Sequence, residues 1–168
     1  MAKPFPDHPN LVGGYAPIQM ECDAPDLIVE GELPLDLNGT LYRNGPNPQF
    51  APRGQYHWFG GDGMVHAFQI DQGKVAYSNR WARTVKWNLE NQAGESLFAA
   101  FNPMENDPRV ANVETNGIAN TNVIWHGNKL LALVESNAPF ELCLLYTSPS
   151  PRDATLSGMP ACAGKKKG

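Results

Sequence analysis

Apolar and polar residues alternate with a two-residue period in two neighbouring segments of the chain, residues 64–70 and 75–84. This period is typical of β-strands, because successive side chains of a strand point to opposite faces of a sheet. The residues between the segments, 71–74, read Asp-Gln-Gly-Lys and are typical of a tight turn. We therefore predict two antiparallel strands joined by a short turn.

The most informative run, residues 41–68, combines aromatic residues with turns rich in glycine and proline. Glycine permits a positive φ and proline fixes φ, so the turns at residues 44–48 and 60–63 are predicted to end one strand and direct the next. The aromatic residues 56–59 between these turns are predicted to form a strand. We expect this run to be the first hairpin of a β-meander.

Three more strands are predicted elsewhere. A short strand is expected at residues 27–30, and a hairpin is expected from residues 122–125 and 130–134, joined by a turn at 126–129. The second strand of that hairpin is an unbroken apolar run, which indicates burial on both faces.

Residues 87–100 are predicted to hold at most one or two helical turns, since Gly94 disfavours a long helix.

Both ends of the chain differ from this strand-rich middle. Residues 1–20 carry four prolines without any period, which favours an extended arm on the surface of a domain. Residues 143–168 are rich in serine, proline and glycine and end in three lysines and a glycine, which indicates disorder. We predict one β domain over residues 1–142 and an unrelated tail of artefactual origin over residues 143–168.

The composition supports an all-β protein and excludes some partners. The 168 residues include 16 glycines and 15 prolines, which is typical of a turn-rich β fold. A net charge of -4 without a basic stripe argues against binding to nucleic acid or an anionic membrane. No apolar run approaches the roughly 20 residues of a transmembrane helix, so we expect a soluble cytoplasmic protein without a transmembrane segment.

Neither the histidines nor the cysteines form a recognisable metal site. The four histidines lie far apart, without the short spacing that fixes ligand geometry locally. The three cysteines include no Cys-x-x-Cys pair. Asp62, in a glycine-rich turn, is predicted to stabilise that turn through an Asx hydrogen bond.

Glu135 directly follows the long apolar strand. A carboxylate near a core needs a partner, such as an arginine, a backbone N–H or a metal-bound imidazole. The alternative is that Glu135 has already emerged into solvent at the end of the strand. The pattern leaves both interpretations open.

Several motif blocks over residues 11–142 resemble, in their order, the N-terminal part of the carotenoid cleavage oxygenase family, in particular its lignostilbene-dioxygenase-like branch. The blocks are Gly14-Tyr-Ala-Pro17, Gly31-Glu-Leu-Pro34, Leu41-Tyr-Arg-Asn-Gly-Pro-Asn-Pro48, His57-Trp-Phe-Gly-Gly-Asp-Gly-Met-Val-His66, Asn120-Thr-Asn-Val123 and Leu130-Leu-Ala-Leu133.

The resemblance implies an incomplete seven-bladed β-propeller from an oxidoreductase, a non-haem Fe(II) dioxygenase. Such an enzyme holds iron with four histidines and uses O2 to split a conjugated C=C bond into two carbonyl products. Glutamates orient those histidines, and Glu135 matches the first of them. All four iron histidines are expected beyond residue 142, so the resemblance implies no catalytic residue, no metal ligand and no bound cofactor in this chain. The alternative is a catalytically inactive propeller fragment or binding module.

The resemblance also bears on the substrate. Stilbene-cleaving relatives tend to carry a lysine before the first glutamate and a tyrosine in the loop upstream, and both contact the phenol. Here the lysine position holds Val134, and the nearest aromatic residue in the upstream loop is Phe101. An apolar polyene such as an apocarotenoid is therefore implied at least as strongly as a stilbene, with Phe59, Phe101 and Val134 as pocket residues.

Overall fold

The computed structural model describes residues 3–115 and 117–142, and strands predominate in it. The strands are β1 (Asp23–Ala24), β2 (Gly39–Pro46), β3 (Gly63–Asp71), β4 (Lys74–Trp81), β5 (Asn122–His126), β6 (Lys129–Leu133) and β7 (Phe140–Leu142). The single α-helix of this part of the chain is α1 (Val85–Ala93). Short 3-10 helices lie at Pro9–Leu11, Gly13–Tyr15, Trp58–Gly60, Pro103–Glu105 and Pro108–Val110.

The first sheet is antiparallel with the strand order β1-β4-β3-β2, so β2, β3 and β4 form the predicted meander. The turn between β3 and β4 places Gln72 and Gly73 at φ values of 47° and 76°. Two positive φ values match the twist of the flanking strands, which confirms the predicted tight turn. β4 ends at Trp81, three residues before the predicted end, because Thr84 caps α1 instead.

The second sheet has the order β5-β6-β7, and its hairpin and turn confirm the sequence prediction. The prediction that β6 is buried on both faces is wrong. Leu130 and Ala132 are buried, whereas Leu131 and Leu133 are half-buried. Ala132 packs in a cluster with Ala82 and Ala119, so only that face of the strand is fully covered.

Two predicted strands are absent from the structure. Residues 27–30 pair with β4 through only one backbone hydrogen bond, from Leu27 N to Val75 O at 2.8 Å, and the Ile28 side chain is 95% exposed. One bond does not make a ladder, and the short strand β1 pairs with β4 in their place. The aromatic strand predicted at residues 56–59 is instead a 3-10 turn, because His57 Nδ1 accepts a hydrogen bond from Phe59 N at 3.2 Å and caps it.

Helix α1 begins two residues before the range in which a helix was predicted. Thr84 Oγ1 accepts a hydrogen bond from Trp87 N at 3.2 Å and so caps the N-terminus. Gly94, at a φ of 72°, ends the helix, as its sequence position indicated. The result is a nine-residue helix.

The N-terminal arm lies on the first sheet, as predicted for residues 1–20. Asn47 exchanges two hydrogen bonds with the backbone of Ile18, at 2.7 and 2.9 Å. Cys22 N donates to Asn79 Oδ1 at 2.6 Å, and Leu11 is buried. The arm is thus held by side-chain amides of the sheet as well as by apolar contact.

The prediction made for residues 143–168 falls outside the described residues. Within the described part, no helix has both the length and the apolar character needed to cross a membrane.

Candidate functional site

Residues 117–121 run between the two sheets and link several predicted site residues. Gly63 N donates to Ile118 O at 2.8 Å. Asn120 Nδ2 donates to the carbonyl oxygens of Phe59 and Gly61, at 2.8 and 2.7 Å. Because Asn120 is buried, these bonds fix the 3-10 turn that carries Phe59 against the second sheet.

Glu135 lies in the turn after β6 and is exposed. Its Oε2 accepts a hydrogen bond from the hydroxyl of Thr121 at 3.2 Å, and Thr121 N also donates to Leu133 O at 2.9 Å. The sequence left two interpretations of Glu135 open. Within the described residues the second one holds: Glu135 has emerged into solvent at the end of the strand.

The predicted pocket residues Phe59 and Phe101 converge on one imidazole. The ring centroid of His57 lies 4.6 Å from that of Phe59 and 6.2 Å from that of Phe101, both in edge-to-face geometry. Phe59 and Phe101 are 59% and 60% exposed, so these apolar rings lie on an open surface. The close approach of Gly60 to Ala100 positions the two segments, since a Cβ at Gly60 would clash with the Cβ of Ala100.

Val134 occupies a different location. It is half-buried directly after β6, where its Cγ1 would lie 2.9 Å from a Cβ built on Gly117. Phe59 and Phe101, in contrast, both contact the ring of His57. The structure therefore brings two of the three predicted pocket residues together.

A buried ionic cluster lies behind the aromatic turn and is absent from the sequence predictions. Lys86 Nζ is 2.8 Å from Asp62 Oδ1 and 2.7 Å from Glu90 Oε2, and all three residues are buried. The predicted Asx turn at Asp62 is wrong, because its other oxygen accepts from Gln49 N at 3.2 Å. The sequence does offer one signal for this cluster, because Lys86 and Glu90 are four residues apart on a helix. No neighbouring residue in the sequence indicates that Asp62 joins them.

The cluster has no vacant carboxylate oxygen for a cation. Glu90 Oε1 accepts from Leu97 N at 2.9 Å and from Phe98 N at 3.0 Å, so it also anchors the loop after α1. Burial alone would lower the pKa of Lys86, but Asp62 and Glu90 outweigh burial and raise that pKa. The arrangement is that of a structural ion cluster.

A cavity of about 20 Å³ borders this cluster and is lined by Tyr56, Asp62 and Lys86, among other residues. Burial raises the pKa of Tyr56 to about 12, and the charge of Asp62 adds to the effect while Lys86 opposes it. The space suffices for about one water molecule and not for an organic substrate.

The described residues include no group of three or more histidine, cysteine or acidic side chains that could hold a metal ion. His66 Nδ1 lies 2.7 Å from the hydroxyl of Tyr77, and burial together with Arg43 lowers the pKa of His66. The residues of this part of the chain therefore do not fit an iron centre by themselves. Glu135 is exposed as well, so its carboxylate is accessible to a further group.

Comparison with known proteins gives consistent matches. The sequence model of a family described as retinal pigment epithelial membrane protein (RPE65) matches residues 15–147. The lignostilbene-α,β-dioxygenase isozyme III of Sphingomonas paucimobilis is 44% identical over 135 residues, which are 79% of this chain and 27% of that protein.

Solved structures agree with the sequence matches. The lignostilbene dioxygenase of Pseudomonas brassicacearum superposes with a TM-score of 0.80 at 36% identity, covering 88% of this chain and 31% of that one. Cobalt-substituted apocarotenoid oxygenase of Synechocystis superposes with a TM-score of 0.65 at 33% identity, covering 80% and 29%. This chain thus spans less than a third of the length of each of these proteins.

Proposed function

This chain belongs to the RPE65 family of carotenoid cleavage oxygenases, and from that premise we propose that it is the N-terminal part of an iron-dependent oxygenase that cleaves a conjugated C=C bond. The predicted fold is confirmed: the two sheets are part of a β-propeller, the fold of the matched oxygenases. The observation that carries the proposal is the match to a lignostilbene dioxygenase over 88% of the chain with a TM-score of 0.80.

The substrate we propose is an apolar conjugated alkene, a stilbene or an apocarotenoid, with O2 as the second substrate. The exposed rings of Phe59 and Phe101 support this proposal, since they offer aromatic surface to such a molecule. Val134 carries no ammonium group with which to bind a phenolate. Addition of both oxygen atoms of O2 across the cleaved double bond gives two carbonyl products.

Iron is proposed for the complete protein and not for residues 1–142 alone. Bound Fe(II) would supply the activation of O2 that the cleavage needs. Glu135 would accept a hydrogen bond from an imidazole N–H and so orient that ring. Among the described residues, its exposed carboxylate accepts one hydrogen bond, from Thr121, which supports that role.

A catalytically inactive propeller fragment is the second candidate, and the lack of a metal-binding group among the described residues favours it. The family match ends at residue 147, five residues past the boundary that we place at 142. That boundary, and the artefactual origin of residues 143–168, remain proposals.

Reading the source gene past residue 142 separates the two candidates. We expect a continuous frame that encodes four further histidines, and a purified complete protein that cleaves stilbenes or apocarotenoids with incorporation of 18O from labelled O2. A gene that reproduces the three terminal lysines and glycine and then stops would contradict the enzyme proposal.

A further inference from the structure

We propose that Asn38 is a modification site, at which the side-chain amide is converted to a carboxylate by spontaneous deamidation. The reacting groups are the backbone nitrogen of Gly39 and water, so the conversion needs no enzyme. The inference goes beyond the proposed function and does not depend on it, because it concerns the chemistry of the chain itself.

The sequence offers three places for this reaction, since Asn38, Asn44 and Asn116 are each followed by glycine. Asparagine is chemically labile. A following glycine favours the reaction, because it has no Cβ to keep its backbone nitrogen away from the asparagine side chain. Asn116 lies outside the described residues, so the structure compares Asn38 with Asn44.

The reaction has two steps. The backbone nitrogen of Gly39 loses its proton and attacks Cγ of Asn38, so that an N–Cγ bond forms and the Cγ–Nδ2 bond breaks. The leaving group takes up a proton in exchange for the one lost by Gly39 and departs as ammonia. Water then opens the resulting cyclic imide at either of its carbonyl carbons, which leaves aspartate or isoaspartate at position 38. No electrons are gained or lost overall.

Asn38 is accessible to both steps. It is exposed and lies immediately before Gly39, the first residue of β2. Its Nδ2 donates to Oδ1 of Asp71 at 2.9 Å, and that bond is exposed as well. A Cβ built on Gly39 would meet no atom within 4 Å, so the backbone beside Asn38 is uncrowded. The exposed end of a strand also opens at little cost in free energy, which lets the two reacting atoms meet.

Asn44 is protected, although it belongs to the same dipeptide. It lies inside β2 and pairs with Val65 in the ladder. Its Nδ2 donates to the carbonyl oxygens of Ala119 and Asn122, at 2.8 and 3.2 Å, and its Oδ1 is buried. Imide formation there would break both hydrogen bonds and open the ladder. The fold therefore exposes one asparagine and shields the other.

Deamidation would change the edge of the first sheet. The Asn38 amide donates to Asp71, the last residue of β3, whereas a carboxylate at position 38 cannot donate. The hydrogen bond would be lost, and two negative charges would face each other across the strands. Isoaspartate would in addition lengthen the main chain by one carbon atom directly before β2.

The test incubates the purified 168-residue chain at mildly alkaline pH, where the attacking nitrogen loses its proton more readily, with and without urea. Trypsin cleaves after Arg43 and Arg53, so Asn38 and Asn44 fall in separate peptides, residues 1–43 and 44–53. Mass spectrometry with fragmentation detects the gain in mass when OH replaces NH2 and locates it in the peptide. Isoaspartate methyltransferase labels the isoaspartate product independently.

Without urea, we expect the product at Asn38 to accumulate several-fold faster than the product at Asn44. In urea the two rates should converge, because unfolding removes the protection of Asn44. Asn38→Gln, whose longer side chain would have to close a larger ring, should abolish the product in residues 1–43 and leave that in residues 44–53 unchanged.

Equal rates at the two sites without urea, or a faster reaction at Asn44, would overturn the proposal. Product at Asn38 that forms only in urea would do the same, since Asn38 would then be protected by the fold. A difference that persists unchanged in urea would also overturn it, because the neighbouring sequence rather than the structure would then control the reaction.

Discussion

At the scale of single residues, Lys86 neutralises two carboxylates that the fold buries. Replacing Lys86 with methionine would leave Asp62 and Glu90 without their cation, and breaking a buried ion cluster in this way costs about 3–5 kcal/mol. We expect urea denaturation of Lys86→Met to show that loss. The control is Lys129→Met, since Lys129 and Glu141 form an exposed pair that contributes about 0–1 kcal/mol. Equal losses in the two variants would contradict the assignment.

The raised pKa of Tyr56 predicts how the stability of the folded protein changes at alkaline pH. Its pKa is about 12 in the folded protein and 10.0 when unperturbed, so the folded state holds the phenol proton more tightly. The resulting stability is complete below pH 10 and is lost as the pH rises through 12, by about 2–3 kcal/mol in total.

Tyr56→Phe should therefore lose less stability than the unchanged protein between pH 9 and pH 11. Parallel denaturation curves at several pH values measure the difference. The shared alkaline loss from Lys86, whose raised pKa acts in the same direction, cancels in that comparison. Identical pH profiles would show that Tyr56 is more solvated than the structure indicates.

We predict that replacing Glu135 impairs metal binding rather than folding. In the complete enzyme, Glu135→Gln keeps an acceptor for Thr121 but weakens the hydrogen bond that we propose to an iron-ligating imidazole. Loss of such an orienting partner lowers metal affinity or activity about 10- to 100-fold. Iron content and turnover should both fall while the melting temperature stays the same. The exposed Glu141→Gln is the control, and iron content unchanged by Glu135→Gln would exclude the orienting role.

At the scale of elements, Gly63 determines how closely β3 approaches the segment that leads into β5. A Cβ at this position would collide with the carbonyl oxygens of Ala119 and Ile118, which are backbone atoms and cannot rotate away. We expect Gly63→Ala to lower the free energy of unfolding by about 3 kcal/mol.

Gly94→Ala is the contrasting variant. Gly94 has no neighbour within 4 Å of an added Cβ, so only its φ of 72° is unfavourable for alanine, at about 1 kcal/mol. Urea midpoints of the two variants measure the contrast. A smaller effect at Gly63 than at Gly94 would contradict the tight packing of β3 against residues 118–119.

The same elements show what a sequence can and cannot specify. The β3–β4 and β5–β6 hairpins are predictable, because alternation and turn residues are local signals. The prediction of a strand at residues 27–30 is wrong because a strand needs a ladder of hydrogen bonds to a partner, and only one such bond forms. The prediction of an aromatic strand at residues 56–59 is wrong because the imidazole of His57 caps a 3-10 turn there.

Among site residues, the aromatic pair Phe59 and Phe101 is predictable only through the family resemblance, because 42 positions separate the two. The ionic cluster depends on Asp62 and Lys86, 24 residues apart, and is defined only by the folded chain.

At the scale of the whole molecule, one face of the first sheet carries an apolar row. Leu41, Phe68 and Tyr77 align across β2, β3 and β4, and Leu41 is 61% exposed. Within the described residues β2 pairs only with β3, so its other edge offers free backbone groups. An apolar face beside a free edge favours association.

We expect the 168-residue chain to self-associate when expressed alone. Sedimentation velocity should show a weight-average mass that rises with concentration, and Leu41→Lys should reduce that rise without lowering the melting temperature. Val12→Lys, another exposed apolar position, is the control. A cooperative melt from a monomer with bound iron would contradict the expectation.

The contacts of the N-terminal arm have a consequence for the order of folding. The bond between Cys22 and Asn79 spans 57 residues, and the one between Trp81 N and Glu21 spans 60. At about 5–20 residues per second, a ribosome completes those partners some 3 to 12 s after the arm. The hairpins close over short loops and need no such wait. The segment that is synthesised first therefore docks only after β4 has been made, and a nascent chain shorter than about 80 residues carries its arm undocked.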